Sequence, residues 1–234
     1  MQAITYRSFG PADEVLTLEQ LETPRPAPGE VLVDLAFSGV NPSDVKARAG
    51  ARVGVTKPPY PVIIPHSDGS GVISAVGEGV DPARLGQRVW IWNGQWRRAY
   101  GTAATQIALP SEQAVRLPDT TDFETGAVLG IPGLTAAFTV FSSGEVAGKT
   151  VLVQGGAGTV GYLAVQLAKW GGARVIATAR GAGGWRKKIG IVGAASGGGL
   201  NKLAVAGHGG RDTHADATSR AGELASWLRH GQDC

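Results

Sequence analysis

The stretch 151–178 constrains the fold of this chain more than any other. Val151-Leu152-Val153 is a short continuous apolar run, the pattern of a parallel strand buried on both faces. Gln154-Gly155-Gly156-Ala157-Gly158-Thr159-Val160-Gly161 follows, and then Val160, Leu163, Ala164, Leu167 and Ala168 recur at helical spacing. Gly171 and Gly172 stand where a helix C-terminus favours positive φ. Residues 174–178, Arg-Val-Ile-Ala-Thr, then make a second apolar strand. Strand, glycine loop, helix and strand in this order form a β-α-β unit with an expected right-handed crossover.

Gly156, Gly158 and Gly161 give G-x-G-x-x-G at the point where such a unit holds a dinucleotide. The first glycine is expected to make the tight turn, the second to admit a pyrophosphate to the backbone, and the third to let helix and strand pack closely. The helix N-terminus, with Thr159 and Val160, then faces the phosphates. With 36 glycines in 234 residues a bare motif match means little, so its strand–loop–helix context carries the weight. A tight βα turn without a ligand is the bland alternative. Cofactor choice follows from the end of the second strand. An NAD site sets an acidic residue roughly 20 positions on, for the ribose 2′-hydroxyl. Here the strand ends Thr178-Ala179-Arg180, and no acidic residue stands between Glu145 and Asp212. The missing acid, with a guanidinium in its place, points to NADPH, although Arg180 also reads as an ordinary exposed strand-end arginine.

Upstream the pattern differs. Residues 4–118 read as short alternating strands cut by Gly and Pro turns, at 31–37, 71–76, 88–92 and 106–109, which predicts an antiparallel barrel or sandwich. Val31, Val33, Leu35 and Phe37 are expected to share one buried face. Asp122 is expected to cap a helix starting at Phe123, and Pro132-Gly133 precede a second helical run at 134–141. Bulk properties narrow the function classes. Residues 1–180 carry 15 basic and 15 acidic side chains, so the net charge of +3 belongs to 181–234 and no nucleic-acid groove is expected. No apolar run reaches membrane length, no signal peptide is expected, and the lone Cys234 fits a reducing cytoplasm.

Four segments bring a family to mind: Gly39-Val40-Asn41-Pro42-Ser43-Asp44, Asp68-Gly69-Ser70-Gly71-Val72-Ile73, Gly133-Leu134-Thr135-Ala136 and the loop Gly155 to Gly161. Through about residue 180 the chain resembles the zinc-independent quinone oxidoreductase branch of the medium-chain dehydrogenase/reductase family. The resemblance implies a mixed α+β and α/β chain, with a GroES-like β-barrel at 1–121 and the start of a doubly wound Rossmann domain at 122–180. Zinc-dependent members carry Cys where this chain has Asn41 and Gly-His-Glu where it has His66-Ser67-Asp68, so no metal ligand set is expected. His66 lies one residue early for a ligand, and Asp68 is read as anchoring a strand start rather than as a general acid.

The resemblance also implies NADPH-dependent hydride transfer to quinones or related conjugated carbonyls, and a homodimer. Asn41 matches a position beside the nicotinamide and is assigned to both cofactor and substrate. Thr135 matches a cofactor-contacting position, and Ile131, on the same segment, is a substrate candidate. Trp92 and Trp96 suit either a flat wall for a quinone ring or a packed core. No residue is required as general acid.

After Arg180 the resemblance stops. A doubly wound domain needs about six strands, and two precede this point. Residues 181–234 hold 13 glycines and His208, His214 and His230, with one candidate strand at 189–192 and one candidate helix at 217–228. This divergent, glycine-rich tail is expected to be poorly ordered. It reads either as a linker with an interaction helix or, in preference, as the product of a reading-frame change. Three functional classes stay open: an active reductase, a remnant with an intact barrel and no turnover, and a non-catalytic NADPH-binding or interaction module.

Overall fold

The computed structural model describes residues 1–51 and 53–179, with the backbone of two further strands at 194–195 and 202–206. The candidate strand at 189–192, the candidate helix at 217–228, the three tail histidines, Arg180 and the expected disorder of 181–234 lie outside the described residues. The chain divides into two compact units, Met1–Ile131 and Pro132–Cys234.

The strands of the first unit pair antiparallel. β1 (Gln2–Thr5) and β2 (Thr17–Gln20) form a two-stranded ribbon. β3 (Glu30–Gly39), β4 (Asp68–Val76), β5 (Arg88–Ile91), β6 (Gln106–Pro110) and β7 (Ala114–Arg116) form a sheet of order β6-β3-β4-β5-β7. Single bridges, Ala3 to Ala104, Tyr6 to Ile63 and Ile64 to Tyr100, tie the outlying segments together. The core is built from alternate positions of these strands: Val31, Val33, Ile73, Val89, Ile91, Ile107, Leu109 and Ala114. Alternation does not run the whole length of β3. Its pairing with β4 shifts register between Leu32 and Val33 and again between Leu35 and Phe37. Each irregularity turns the strand, and Phe37 emerges 43% exposed instead of sharing the buried face of Val31 and Val33.

β3 leads into α2 (Pro42–Arg48). Pro42 takes the first helical position, where its missing N–H costs nothing, and the Asp44 carboxylate accepts from the Asn41 N–H at 2.8 Å. A short helix α1 (Ala12–Val15) follows β1. After β7, α3 (Phe123–Gly126) begins at Asp122, whose carboxylate accepts from the Thr125 N–H at 2.6 Å. The segment Leu129–Gly133 then makes an irregular turn, with Gly130 at ψ −106° and Pro132 inside it.

The second unit holds α4 (Leu134–Phe141), β8 (Thr150–Val153), α5 (Thr159–Trp170) and β9 (Arg174–Ala179). β8 and β9 are parallel, with Val151 opposite Val175 and Val153 opposite Ala177. Helix α5 buries Ala164, Val165, Leu167 and Ala168, and Val160 in its first turn is 38% exposed. The helix thus faces inward slightly off the expected stripe, because its first turn opens on the glycine loop. Phe141 meets Trp170 edge to face, with centroids 6.1 Å apart, linking α4 to α5. Beyond β9 lie β10 (Ala194–Ala195) and β11 (Lys202–Ala206). β11 runs antiparallel to β9, so the sheet order β10-β11-β9-β8 departs from the parallel third strand of a doubly wound domain.

Candidate functional site

In the first unit, chemistry gathers around Asp68, the first residue of β4 and fully buried. One carboxylate oxygen, Oδ2, accepts from Asn41 Nδ2 at 2.7 Å and from the Ile131 backbone N–H at 2.9 Å. Two residues picked from the sequence as substrate candidates therefore hang from a single atom. The bond also fixes the amide of Asn41, since only its nitrogen can donate to a carboxylate. The other oxygen, Oδ1, is buried without a hydrogen-bond partner. It presses against Gly130, where a Cβ would fall 2.1 Å from Oδ1, so only glycine fits there. Burial pushes the Asp68 carboxyl up to about 6, against the pull of the Asn41 and Ile131 N–H groups. Asp44, buried below Asn41, is also raised by burial. Ser67 is half-buried. Among the described residues no three of His, Cys, Asp and Glu gather to hold a metal ion.

A polar chain missed by the sequence reading runs beside this carboxylate. The Thr102 hydroxyl donates to the Asp68 carbonyl at 2.6 Å, Ser38 Oγ lies 3.0 Å from Thr102 Oγ1, and His66 Nδ1 lies 2.9 Å from Ser38 Oγ. His66 has φ 77°, a left-handed conformation that histidine adopts more often than most residues with a Cβ but still uncommonly. The segment 92–101 crosses next to it. Gly94 N–H donates to the Ser67 carbonyl at 2.7 Å and Thr102 N–H to the His66 carbonyl at 3.0 Å. Of the three nearby tryptophans, Trp90 fills the core. Trp92 is half-buried with its indole N–H on the Glu112 carbonyl, whereas Trp96 is 58% exposed beneath the Arg97 guanidinium. Trp92 is thus held at its edge, and Trp96 stands largely exposed with Arg97 over one face.

In the second unit the glycine loop joins β8 to α5. Gly155, not Gly156, takes the left-handed turn at φ 70°. Gly156 instead donates its N–H to the Thr178 carbonyl at 2.8 Å, which ties the loop to the end of β9. Gly161 packs so closely that a Cβ would fall 2.3 Å from the Gly155 carbonyl oxygen. Helix α5 starts at Gly158 without a side-chain cap, and Gly158, Thr159 and Val160 are exposed. The first N–H groups of the helix therefore lack a partner among the described residues, which is the arrangement that accepts a phosphate. Thr135 lies exposed in the first turn of α4, its carbonyl accepting from Thr139 Oγ1 at 2.7 Å.

Comparison with known proteins places this geometry. Residues 27–119 match the alcohol dehydrogenase GroES-like domain. The rat quinone oxidoreductase is 36% identical over 182 residues, covering 76% of this chain and 53% of that protein. An alcohol dehydrogenase superfamily structure from Novosphingobium aromaticivorans aligns with TM-score 0.66 and 36% identity, covering 76% of this chain and 54% of that one. A mycobacterial protein solved in complex with NADPH aligns with TM-score 0.65 and 32% identity, over 79% and 54%. The chain spans about half the length of the curated relatives it matches. It belongs to the medium-chain dehydrogenase/reductase family, with a GroES-like domain followed by part of a Rossmann domain.

Proposed function

We propose that this chain carries the substrate barrel and the first cofactor-binding unit of an NADPH-dependent, zinc-independent reductase of quinones or related conjugated carbonyls. The uncapped N-terminus of α5 behind its glycine loop carries this reading, because it leaves backbone donors where a pyrophosphate needs them. Gly156, Gly158, Thr159, Val160 and Gly161 hold the phosphates, and Arg180 takes the 2′-phosphate. Thr135 contacts the cofactor. Bound NADPH supplies a hydride from its nicotinamide ring. Asn41, held by Asp68, positions the nicotinamide carboxamide or the substrate oxygen, and Ile131 and Trp92 line the substrate. Developing negative charge on the quinone oxygen meets hydrogen-bond donors, and the proton comes from solvent. In domain terms, 1–121 is the barrel, 122–180 opens the cofactor domain and 181–234 is a divergent tail. A homodimer in a reducing cytoplasm completes the reading.

A fluorescence titration with NADPH, followed by turnover of 1,4-naphthoquinone, tests it. Saturable NADPH binding with turnover supports the proposal. Binding without turnover assigns the chain to a non-catalytic NADPH-binding module. Neither binding nor turnover makes it an inactive remnant.

A further inference from the structure

His66 is held in a way that its backbone does not favour. Its φ of 77° lies in the left-handed region, uncommon for a residue with a Cβ, and such outliers cluster at functional sites. Each hydrogen bond around its ring has one possible direction. The Thr102 hydroxyl has one proton, and the Asp68 carbonyl, which can only accept, takes it. In its contact with Ser38, Thr102 therefore accepts, and Ser38 donates. The Ser38 proton being used, its oxygen must accept from His66 Nδ1, which carries the ring hydrogen. Burial lowers the imidazole below its ordinary value and keeps it neutral. The remaining nitrogen, Nε2, is then an acceptor with a lone pair, and no hydrogen bond occupies it among the described residues.

A ring fixed in this tautomer selects for ligand chemistry. A quinone carbonyl offers only lone pairs, and lone pair against lone pair repels. A hydroxyl on an aromatic ring offers the proton that Nε2 lacks. The ring's own segment lies between the end of β3, through Ser38, and the aromatic segment 92–101, through the bonds of Gly94 and Thr102. Two residues on, Asp68 holds Asn41 and Ile131.

We propose that His66 is a specificity-determining residue of this site, its Nε2 accepting a hydrogen bond from a hydroxyl group of an aryl ligand such as a hydroquinone. Ser38 and Thr102 are positioning residues that set its tautomer. The inference rests on the reading of this unit as a quinone-binding barrel, and it adds that the site prefers the reduced, hydroxylated ring.

The test compares 1,4-dihydroxynaphthalene with 1,4-dimethoxynaphthalene, titrated anaerobically into the full chain by tryptophan quenching without NADPH. The diol is expected to bind about five- to tenfold more tightly, the worth of one hydrogen bond. In His66→Gly, which relieves the backbone, this preference falls to near unity, affinity for the diether stays unchanged and the thermal midpoint does not drop. His66→Asn, which tolerates the left-handed conformation and retains an acceptor, recovers part of the preference. Equal preference in wild type and His66→Gly overturns the proposal, as does absence of preference or of binding in the wild type. Failure of NADPH to bind, with the diol preference intact, defeats the reductase reading and leaves this one standing.

Discussion

Asp68 shows what one residue does here and what the sequence could reveal of it. Its role as anchor of a strand start came only with the family resemblance, because the alternation placed the strand at 71–76 while β4 begins at Asp68. Its grip on Asn41 and Ile131 was not legible, because those partners come from separate segments that only the folded barrel brings together. The left-handed His66 was equally hidden, since histidine takes positive φ too seldom for its identity to predict it. The buried carboxyl has consequences for stability. Raised from 3.8 to about 6, it binds its proton more tightly in the folded state. Its stabilising contribution is therefore full below pH 3.8 and is lost as pH rises through about 6. Above that, the ionised group costs up to about 3 kcal/mol. Asp68→Asn keeps an acceptor for Asn41 and Ile131 and removes the charge. It is expected to raise the urea midpoint at pH 7.5 by an amount that shrinks towards pH 4; a gain independent of pH would remove this account. Gly130→Ala tests the same contact from the other side. Its Cβ would fall 2.1 Å from Asp68 Oδ1, and a loss of about 1–3 kcal/mol in unfolding free energy is expected.

At the scale of elements, helix α4 was legible to its ends, because Pro132-Gly133 interrupts the chain just before it and a compact apolar run follows. β3 was legible only in part. Period-two alternation presumes an unbroken ladder, and the register shift between Leu35 and Phe37 breaks it. The glycine loop was readable as a whole, but the left-handed position fell on Gly155, one residue before the motif begins. Motif glycines mark where the backbone must approach something closely, and Gly161 meets that need in its contact with the Gly155 carbonyl. Gly161→Val is expected to push the start of α5 away from the loop and to weaken NADPH binding at least tenfold. The melting transition of the barrel should be unaffected, as Gly161 lies in the other compact unit. Calorimetry with and without cofactor reads both effects, and unchanged NADPH affinity in the variant would detach the cofactor from this loop.

For the molecule as a whole, composition located the charge but could not say how the second sheet ends. β8 stands at the end of the order β10-β11-β9-β8, so one of its edges has no strand partner among the described residues. Leu152 in its middle is 60% exposed, and Phe138 on α4 is 65% exposed. Residues 151–153 read as a fully buried strand from their continuous apolar run, as befits the first strand of a doubly wound domain, which lies inside the sheet with a neighbour on each side. An apolar strand with an open edge is a template for pairing with another copy, unless a charge or a bulge blunts it. Nothing in Thr150–Val153 supplies a charge. The chain is therefore expected to self-associate with rising concentration through this edge, by strand pairing rather than through the barrel. Leu152→Lys adds a charge where the strand is exposed and leaves the β8–β9 pairing in place. Light scattering over a concentration series should show less association for the variant, with unchanged far-ultraviolet circular dichroism. Equal association in both proteins would move the contact away from β8.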